Sequence, residues 1–379
     1  MHYIHITNNP VASNVTAYRK VKPVGYYHKL SATNGIYDRC TFEIVGTKHE
    51  LEEMFENGLG RNVERFNIDG QELIFQGFIY EMVFNQPGIR SSKSLGNMYN
   101  RIKVRYTALN TGVNPPTETE DQVTATVNDT DSQDLFGIKT KVYRPPTEKM
   151  TSGMATQFGD TLLEQYKTPR RSDNAVSTDG QSSLKIYCRG YMDALDWRSY
   201  SQTASSGTQN ANTVISAIIA SVGQFIDSEI LDTNSLQIQR YFNDDYTALQ
   251  IIKMIAGLGD SSDDRWVAFV DNDRILKYQE ASTSIAYIRR LADKHQWIKD
   301  NSGRIVQPWE IKPNKWLRTV DVEPFWVPIS NDLIDDPQAM YIETVEWYEQ
   351  GNRLVLTGSK GEQIQNIIAK NANQGELLL

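Results

Sequence analysis

The sequence is poor in the side chains from which metal and redox sites are built. Its 379 residues include only two cysteines, Cys40 and Cys188, and five histidines. The cysteines lie far apart and have no partner at CxxC spacing, so we expect no zinc knuckle or redox pair. Two small strand residues in a reducing compartment are the simpler interpretation. Because no histidine has an HExxH partner or a nearby cysteine at ligand spacing, the sequence predicts no metal site.

The chain also lacks a long hydrophobic run and a positive net charge. No stretch approaches about 18 consecutive apolar residues, so we expect no membrane-spanning segment. Residues 1–6 have neither the basic region nor the apolar core of a secretion signal, which predicts a protein folded in the cytoplasm. A net charge of −8 argues against a protein that grips DNA by neutralising phosphates. It is compatible with a protein past which DNA moves without sticking.

Catalytic motifs are absent as well. The sequence has no GxSxG elbow, and the glycines and lysine of Gly351–Lys360 have the wrong order and spacing for a Walker loop. Acidic pairs such as Glu52-Glu53 and Asp335-Asp336 are neighbours in sequence, and such neighbours rarely oppose each other as a glycosidase pair must. We therefore predict no catalytic residues, no cofactor-binding residues and no enzymatic activity.

The segment Asn110–Asp134 is rich in acids and contains no lysine or arginine. The spacing of Asp129, Asp131 and Asp134 resembles a calcium loop, but the central glycine and the distal glutamate of an EF-hand are missing. We predict an extended acidic loop or linker here, without a metal ion.

Length and composition predict several small β-rich units. A chain of 379 residues exceeds what one hydrophobic core usually serves, and 19 tyrosines favour strands. The predicted fold class is α+β, mainly β, with two small β-barrel domains, an inserted α/β domain and connecting loops. The expected boundaries are 1–110 (first barrel), 111–183 (acidic loop and connecting helix), 184–300 (inserted α/β domain with an aromatic hairpin) and 301–379 (second barrel and C-terminal tail).

Local patterns give the expected elements within these boundaries. The first barrel should contain a helix over 48–57, a hairpin turn at Asp69-Gly70 and a bend at Gly77. Asp244 or Asp245 should cap a helix that runs to Ala256. The other expected elements are helices at 151–167 and 212–223, strands at 40–46, 100–109, 236–241, 316–322, 341–348 and 353–357, a hairpin at 265–278, and a helix with a loose tail at 361–379.

Five of the seven tryptophans lie in the last quarter of the chain, namely Trp297, Trp309, Trp316, Trp326 and Trp347. Such a group could form a platform for a sugar ring. Aromatic residues on alternating strands also serve as core or interface anchors. The sequence therefore leaves open a carbohydrate-binding tail or surface adhesion protein.

A glycine-aromatic run at Leu184–Tyr200 resembles a segment of phage tail hub and tail-tip proteins. A strand there enters a Gly-aromatic-x-x-x-Leu-x-Trp-x-x-Tyr pattern. A similar turn-and-helix pattern lies upstream, at 131–137 and 151–169, where Phe136 replaces the family's tyrosine before Gly137. The order of elements is similar over residues 130–360. The matching residues of the run are Gly190, Tyr191, Leu195, Trp197 and Tyr200.

The resemblance implies a structural role. In that family each chain contributes two tube-like β-barrel domains, and three chains form a pseudo-sixfold ring between the tail tube and a central spike or fibre. It implies a homotrimer without cofactor, located in the virion tail tip or baseplate, whose lumen passes DNA without specific binding. A lytic domain, where present, is an extension, and we expect none within these 379 residues. We also expect the acids of the barrels to line the lumen.

Overall fold

A computed structural model shows a chain that is mainly β, with one large curled sheet and few helices, which confirms the predicted α+β, mainly β fold class. The structure describes residues 3–10, 19–31, 37–67, 72–113, 115–146, 149–176, 181–202, 207–239, 242–260, 264–290, 297–320 and 339–359.

The first half of the chain contains thirteen strands and three α-helices in the described residues. The strands are β1 (Ile4–Thr7), β2 (Arg19–Val21), β3 (Val24–Ser31), β4 (Tyr37–Val45), β5 (Asn62–Phe66), β6 (Leu73–Gln86), β7 (Ile89–Ser94), β8 (Arg101–Asn110), β9 (Thr117–Asn128), β10 (Thr140–Tyr143), β11 (Lys149–Met150), β12 (Arg171–Ala175) and β13 (Ser183–Gly190). The helices in this half are α1 (Lys48–Asn57), α2 (Thr130–Phe136) and α3 (Ser152–Tyr166).

The second half contributes shorter strands and two apolar helices. Its strands are β14 (Ser199–Ser201), β15 (Gln209–Asn210), β16 (Ser228–Leu231), β17 (Gln237–Ile238), β18 (Asn243–Thr247), β19 (Trp266–Val270), β20 (Ile275–Glu280), β21 (Ile285–Arg290), β22 (Ile298–Asp300), β23 (Trp316–Val320), β24 (Ala339–Tyr348) and β25 (Arg353–Ser359). The helices are α4 (Ala211–Val222) and α5 (Ala248–Leu258).

One large sheet organises the molecule. Its strand order is β2-β1-β5-β6-β13-β4-β3-β24-β23-β21-β22, with β7 and β12 continuing from β6 and β25 lying on β24. Strand β13 lies between β6 and β4, and β24 pairs with β3. The sheet therefore joins strands from all four segments that the sequence analysis separates, with β12 coming from residues 111–183. The four-domain division and the likeness of the two barrels stay predictions.

The main core lies between this sheet and helices α1, α4 and α5. Leu51, Met54 and Phe55 of α1 are buried against it, as the helical pattern predicted. Helix α1 begins at a capping box in which the Thr47 side chain accepts from the Glu50 amide. Helices α3 and α4 confirm the helices expected at 151–167 and 212–223; Thr151 is the N-cap of α3, and Gly223 is the C-cap of α4.

Two local expectations are wrong. Residues 117–128 are not a loop, because they form β9, which pairs antiparallel with β8 in a separate small sheet. Ala125 and Val127 pack against α3, whereas Thr124 and Thr126 on the other side of the strand are exposed. The sequence analysis considered only the acidic composition of the segment and therefore missed this alternation. Helix α5 begins after Thr247 and not after Asp244 or Asp245, because Thr247 forms a capping box with Gln250 and residues 243–247 form a strand.

The other predicted pairings hold where the structure describes them. Strands β5 and β6 form the expected antiparallel hairpin, although its turn at 69–70 lies outside the described residues. The pairs β19–β20 and β24–β25 are antiparallel as expected. In place of a strand over 236–241 only Gln237–Ile238 is a strand, and residues 240–241 and 361–379 lie outside the described part of the chain.

The seam between β6, β13 and β4 depends on two glycines that face each other. Gly77 of β6 is paired with Gly190 of β13. A Cβ atom on Gly77 would lie 2.2 Å from the Arg189 carbonyl oxygen, and one on Gly190 would lie 2.9 Å from Asp38 Cβ. Only a residue without a Cβ permits this approach of three backbones.

We predict that Gly77→Ala destabilises the protein by about 3 kcal/mol, because the added methyl group would force the backbone of β13 away from β6. Urea unfolding monitored by circular dichroism measures the change. Gly153→Ala is the matched control, since nothing lies within 4 Å of a Cβ there and alanine favours the helix that begins at Ser152. Equal stability of the two variants would contradict the close approach.

Candidate functional site: an aromatic junction and a tyrosine face

The five residues of the glycine-aromatic pattern form a buried junction where β13 leaves the large sheet. After Gly190 the chain turns into a short 3-10 helix, Tyr191–Trp197, on which α5 packs. Tyr191, Leu195, Trp197 and Tyr200 are all 5% exposed or less. Their burial is that of core residues, which leaves them no surface for a ligand.

Tyr191 connects the junction to the first strands of the large sheet. Its hydroxyl donates a 2.7 Å hydrogen bond to the Asn62 side-chain oxygen on β5. Its ring stacks on Phe225 at 5.5 Å and contacts Phe78 at 5.8 Å. The side chain therefore packs as an aromatic and still satisfies its polar end, as a buried tyrosine must. Burial raises its pKa well above the ordinary value for tyrosine.

Trp197 is the centre of the same aromatic group. Its ring meets Phe78 edge-on at 5.0 Å and Phe225 edge-on at 5.5 Å. The Lys139 ammonium group lies 5.5 Å from the ring centroid, within range of a cation–π contact. The junction thus joins β6, the 3-10 helix and the segment after α4 through one set of rings.

Lys139 is a buried cation that the sequence analysis did not single out. It is 7% exposed and donates hydrogen bonds to the carbonyl oxygens of Leu95 and Gly96. Burial lowers its pKa to about 8, and the negative charge of Asp193 opposes that change. Asp193 itself pairs with Arg189 at 2.7 Å. No sequence motif marks Lys139, because its burial arises only when the 3-10 helix closes over it.

The side of the large sheet opposite the core carries a group of tyrosines and charges, which we call the tyrosine face. Cross-strand register places its members side by side on β24, β3, β4 and β13. These residues are half-buried or exposed, whereas their neighbours along each strand are buried. The tyrosine face comprises Tyr348, Tyr27, Glu346, Lys29, Arg39, Tyr187 and Arg189. Arg189 also lies over the ring of Tyr80 of β6, which packs against the core.

Charges on the tyrosine face are mostly paired. Lys29 Nζ lies 2.7 Å from Glu346 Oε1, and the hydrogen bond from Lys29 lowers the pKa of that carboxyl group. The Tyr27 and Tyr348 rings are 4.7 Å apart. Burial and the nearby Glu346 carboxylate raise the pKa of Tyr27. Tyrosine and arginine are enriched at the centres of protein interfaces, so this face has the composition of a contact surface.

A second feature missed from sequence is a group of ion pairs between the small sheet and the α4–α5 layer, by which we mean helices α4 and α5 with the β14–β18 strand pair that contacts them. Asp244 accepts hydrogen bonds from Lys103 Nζ and Ser199 Oγ, each at 2.7 Å. Asp245 pairs with Arg105 at 2.9 Å and with Arg144 at 3.0 Å. The two acids that were expected to cap a helix instead connect two parts of the fold.

The acids singled out as a calcium-like group have other roles. Asp129 is the N-cap of α2, where it accepts from the Ser132 amide at 2.8 Å. Asp131 and Asp134 line a cleft of about 570 Å³ together with Lys93 and Arg61. In the described part of the chain, no three His, Cys, Asp or Glu side chains are placed to hold a metal ion.

The tryptophans do not form a sugar platform among the described residues. Trp316 and Trp347 are each 4% exposed. Trp309 packs beside Trp347 with ring centroids 5.5 Å apart. Trp326 lies outside the described residues, and Trp297, just before β22, is exposed. The anchor interpretation is therefore correct for Trp316 and Trp347.

Comparison with known proteins gives structural matches only. No protein-family model matches the sequence, and no curated protein is similar to it in sequence. A tail protein from Neisseria meningitidis is 8% identical, with 95% of this chain and 96% of that chain covered at a TM-score of 0.43. A 43 kDa tail protein of prophage MuSo2 from Shewanella oneidensis is 9% identical, with 96% and 98% covered at 0.43.

A third structure is a type VI secretion component of E. coli described as similar to the bacteriophage T4 tail proteins gp27 and gp5. It is 8% identical, with 89% of this chain and 73% of that chain covered at a TM-score of 0.40. These TM-scores are below 0.5, so no residue role is transferred. No helix in the described ranges is long and apolar enough to cross a membrane.

We predict that Trp197→Ala destabilises the protein by about 3–5 kcal/mol, because it empties a pocket between Phe78 and Phe225. Thermal and urea unfolding measure the loss. Trp297→Ala is the control, since that side chain is 43% exposed and its removal should cost less than about 1 kcal/mol. A Trp197→Ala protein as stable as the wild type would remove Trp197 from the centre of the junction.

We predict that Lys139→Met changes how stability depends on pH. The folded pKa of Lys139 is about 8, below that of an unfolded lysine, so above pH 8 the unfolded chain holds more protons and the free energy of unfolding rises with pH. This gain, at most about 1.4 kcal/mol per pH unit, is absent in the variant. Between pH 7 and 9.5 the wild type should gain stability relative to Lys139→Met. A difference that stays constant over this range would contradict the lowered pKa.

Proposed function

We propose that this chain is a structural hub protein of a phage tail tip or baseplate. In this proposal three copies form a ring that joins the tail tube, or a distal tail protein, to a central spike or fibre. DNA passes through the lumen without specific binding. The chain acts by holding its neighbours in place, and the proposal assigns it no catalytic step and no cofactor. The protein would be assembled in the host cytoplasm and then reside in the virion.

The observation that carries the proposal is the large curled sheet. On the side away from the core the sheet carries the tyrosine face. Its aromatic rings and ion pairs differ from the apolar side chains that cover the core side. Strand β25 pairs with β24 on one side, and no other described strand pairs with it. Unpaired strand edges are sites at which another chain can add. A ring built from such edges covers them in every copy.

The buried glycine-aromatic pattern also supports the proposal. All five of its residues maintain the junction between the large sheet and the α4–α5 layer, which is a structural role. Their order along the chain is the basis of the resemblance to tail hub proteins. We further propose that the sheet modules near the two ends of the chain occupy equivalent places in the ring. Its lumen would carry more acids than bases, which repels the phosphates of passing DNA.

We predict that the purified full-length chain assembles into trimers, with a mass three times 43.1 kDa. Mass photometry over a concentration series measures the distribution, and electron microscopy of the same sample should show rings with an open centre. A chain that stays monomeric at all concentrations would refute self-assembly into a ring. A strongly positive lumen in the assembled ring would refute the proposed passage of DNA without binding.

An edge variant separates ring contacts from folding. We predict that Thr357→Lys on β25 weakens self-association at least about tenfold, because a lysine on an edge strand opposes pairing with another chain. Gln157→Lys on the exposed side of α3 adds the same charge away from any strand edge and should leave the mass distribution unchanged. If both variants assemble like the wild type, β25 is not part of the ring contact.

A further inference from the structure

The two cysteines, which are far apart in sequence, are directly opposite each other in the fold. Cys40 of β4 and Cys188 of β13 are register partners in an antiparallel pair. Directly opposed residues in such a pair have Cα atoms about 4.5 or 5.5 Å apart, depending on the hydrogen-bonding pattern. Both values fall within the range of disulfide-bonded cysteines, about 4.4–6.8 Å. Both cysteines are free and buried in the structure. Their spacing along the chain gave no indication that they would lie opposite each other.

The surroundings of the pair protect it from solvent. Cys40 is 1% exposed and Cys188 is 2% exposed. Burial, and after it the neighbouring Cys188 thiol, raise the pKa of Cys40. His28, the register partner of Cys40 on β3, is hydrogen-bonded to Asp38. Since the thiolate is the reactive form, neither cysteine should react while the sheet is closed.

We propose that Cys40 and Cys188 form an intramolecular disulfide when the chain folds in the presence of an oxidised low-molecular-weight thiol. The thiolate of one cysteine attacks the small disulfide, giving a mixed disulfide and one released thiolate. The second cysteine then attacks the protein sulfur of the mixed disulfide and releases the second small thiolate. The two protons lost by the cysteines end on the released thiols. One protein disulfide forms, and one small disulfide is reduced to two thiols.

The fold supplies the driving force and the protection. Register between β4 and β13 holds the sulfurs together, so the folded chain favours the disulfide over the open thiols more than the unfolded chain does. Exchange takes place before β13 is inserted between β4 and β6, or while it is transiently separated. Once the sheet closes, the chain keeps the redox state in which it folded. The disulfide would link β4 to β13, the strand that leads into the aromatic junction.

The test compares folded and denatured full-length chain at defined ratios of reduced to oxidised glutathione. Samples are refolded from urea or kept in urea, then quenched, alkylated and weighed by mass spectrometry. We expect a product that carries two fewer alkyl groups than the reduced chain and whose own mass is 2 Da below that of the unalkylated, reduced chain. We also compare the ratio of reduced to oxidised glutathione at which half of each chain is oxidised. For the refolded chain this ratio should be at least about 100-fold higher than for the denatured chain. Equal midpoints would overturn the proposal, as would products that are disulfide-linked dimers or only glutathione adducts.

Two further measurements make the result specific. Cys40→Ser and Cys188→Ser should each give glutathione adducts in urea and no product 2 Da lighter, and a lighter product in either variant would overturn the pairing. The wild-type comparison does not depend on these variants folding. Folded, reduced wild type exposed to oxidised glutathione should convert at least about 100-fold more slowly than the refolding chain. Equal rates would overturn the protection of the closed sheet.

Discussion

The close approach of β6, β13 and β4 is the constraint on which the rest of the fold depends. Gly77 and Gly190 remove the side chains that would keep these backbones apart. Strand β13 can then enter the centre of a sheet whose other strands come from both ends of the chain. Because Gly190 is also the last residue of β13, the chain turns there directly into the aromatic junction. One contact thus sets both the sheet and the position of Tyr191 and Trp197.

Buried polar groups in this structure serve to hold parts together. Lys139 is satisfied by two backbone carbonyls, Asp193 by Arg189, and Asp244 by Lys103 and Ser199. The contacts of Lys139 and Asp244 join segments that are distant in sequence, whereas the Asp193–Arg189 pair lies four residues apart in the chain. The aromatic rings and paired charges of the tyrosine face are suited to contact with another protein surface.

Sequence reasoning succeeded where the signal was local. Helices α1, α3 and α4 were predicted close to their observed bounds, because apolar spacing and the turn chemistry at a helix end are properties of a few adjacent residues. It failed at β9, where acids hid a strand alternation, and at the start of α5, where Asp244 and Asp245 were better used as ion-pair partners. When several adjacent residues are good N-caps, capping preference alone does not show which of them caps the helix and which instead forms tertiary contacts.

The sequence by itself determined a mainly β chain with apolar helices and a buried glycine-aromatic segment, because periodicity, propensity and turn chemistry act over neighbouring residues. Only the tertiary structure decided that β13 inserts between β6 and β4. That insertion opposes Cys40 to Cys188 and buries Lys139 under the 3-10 helix. Strand register between distant segments is set by packing across the whole sheet, and no short stretch of sequence contains it.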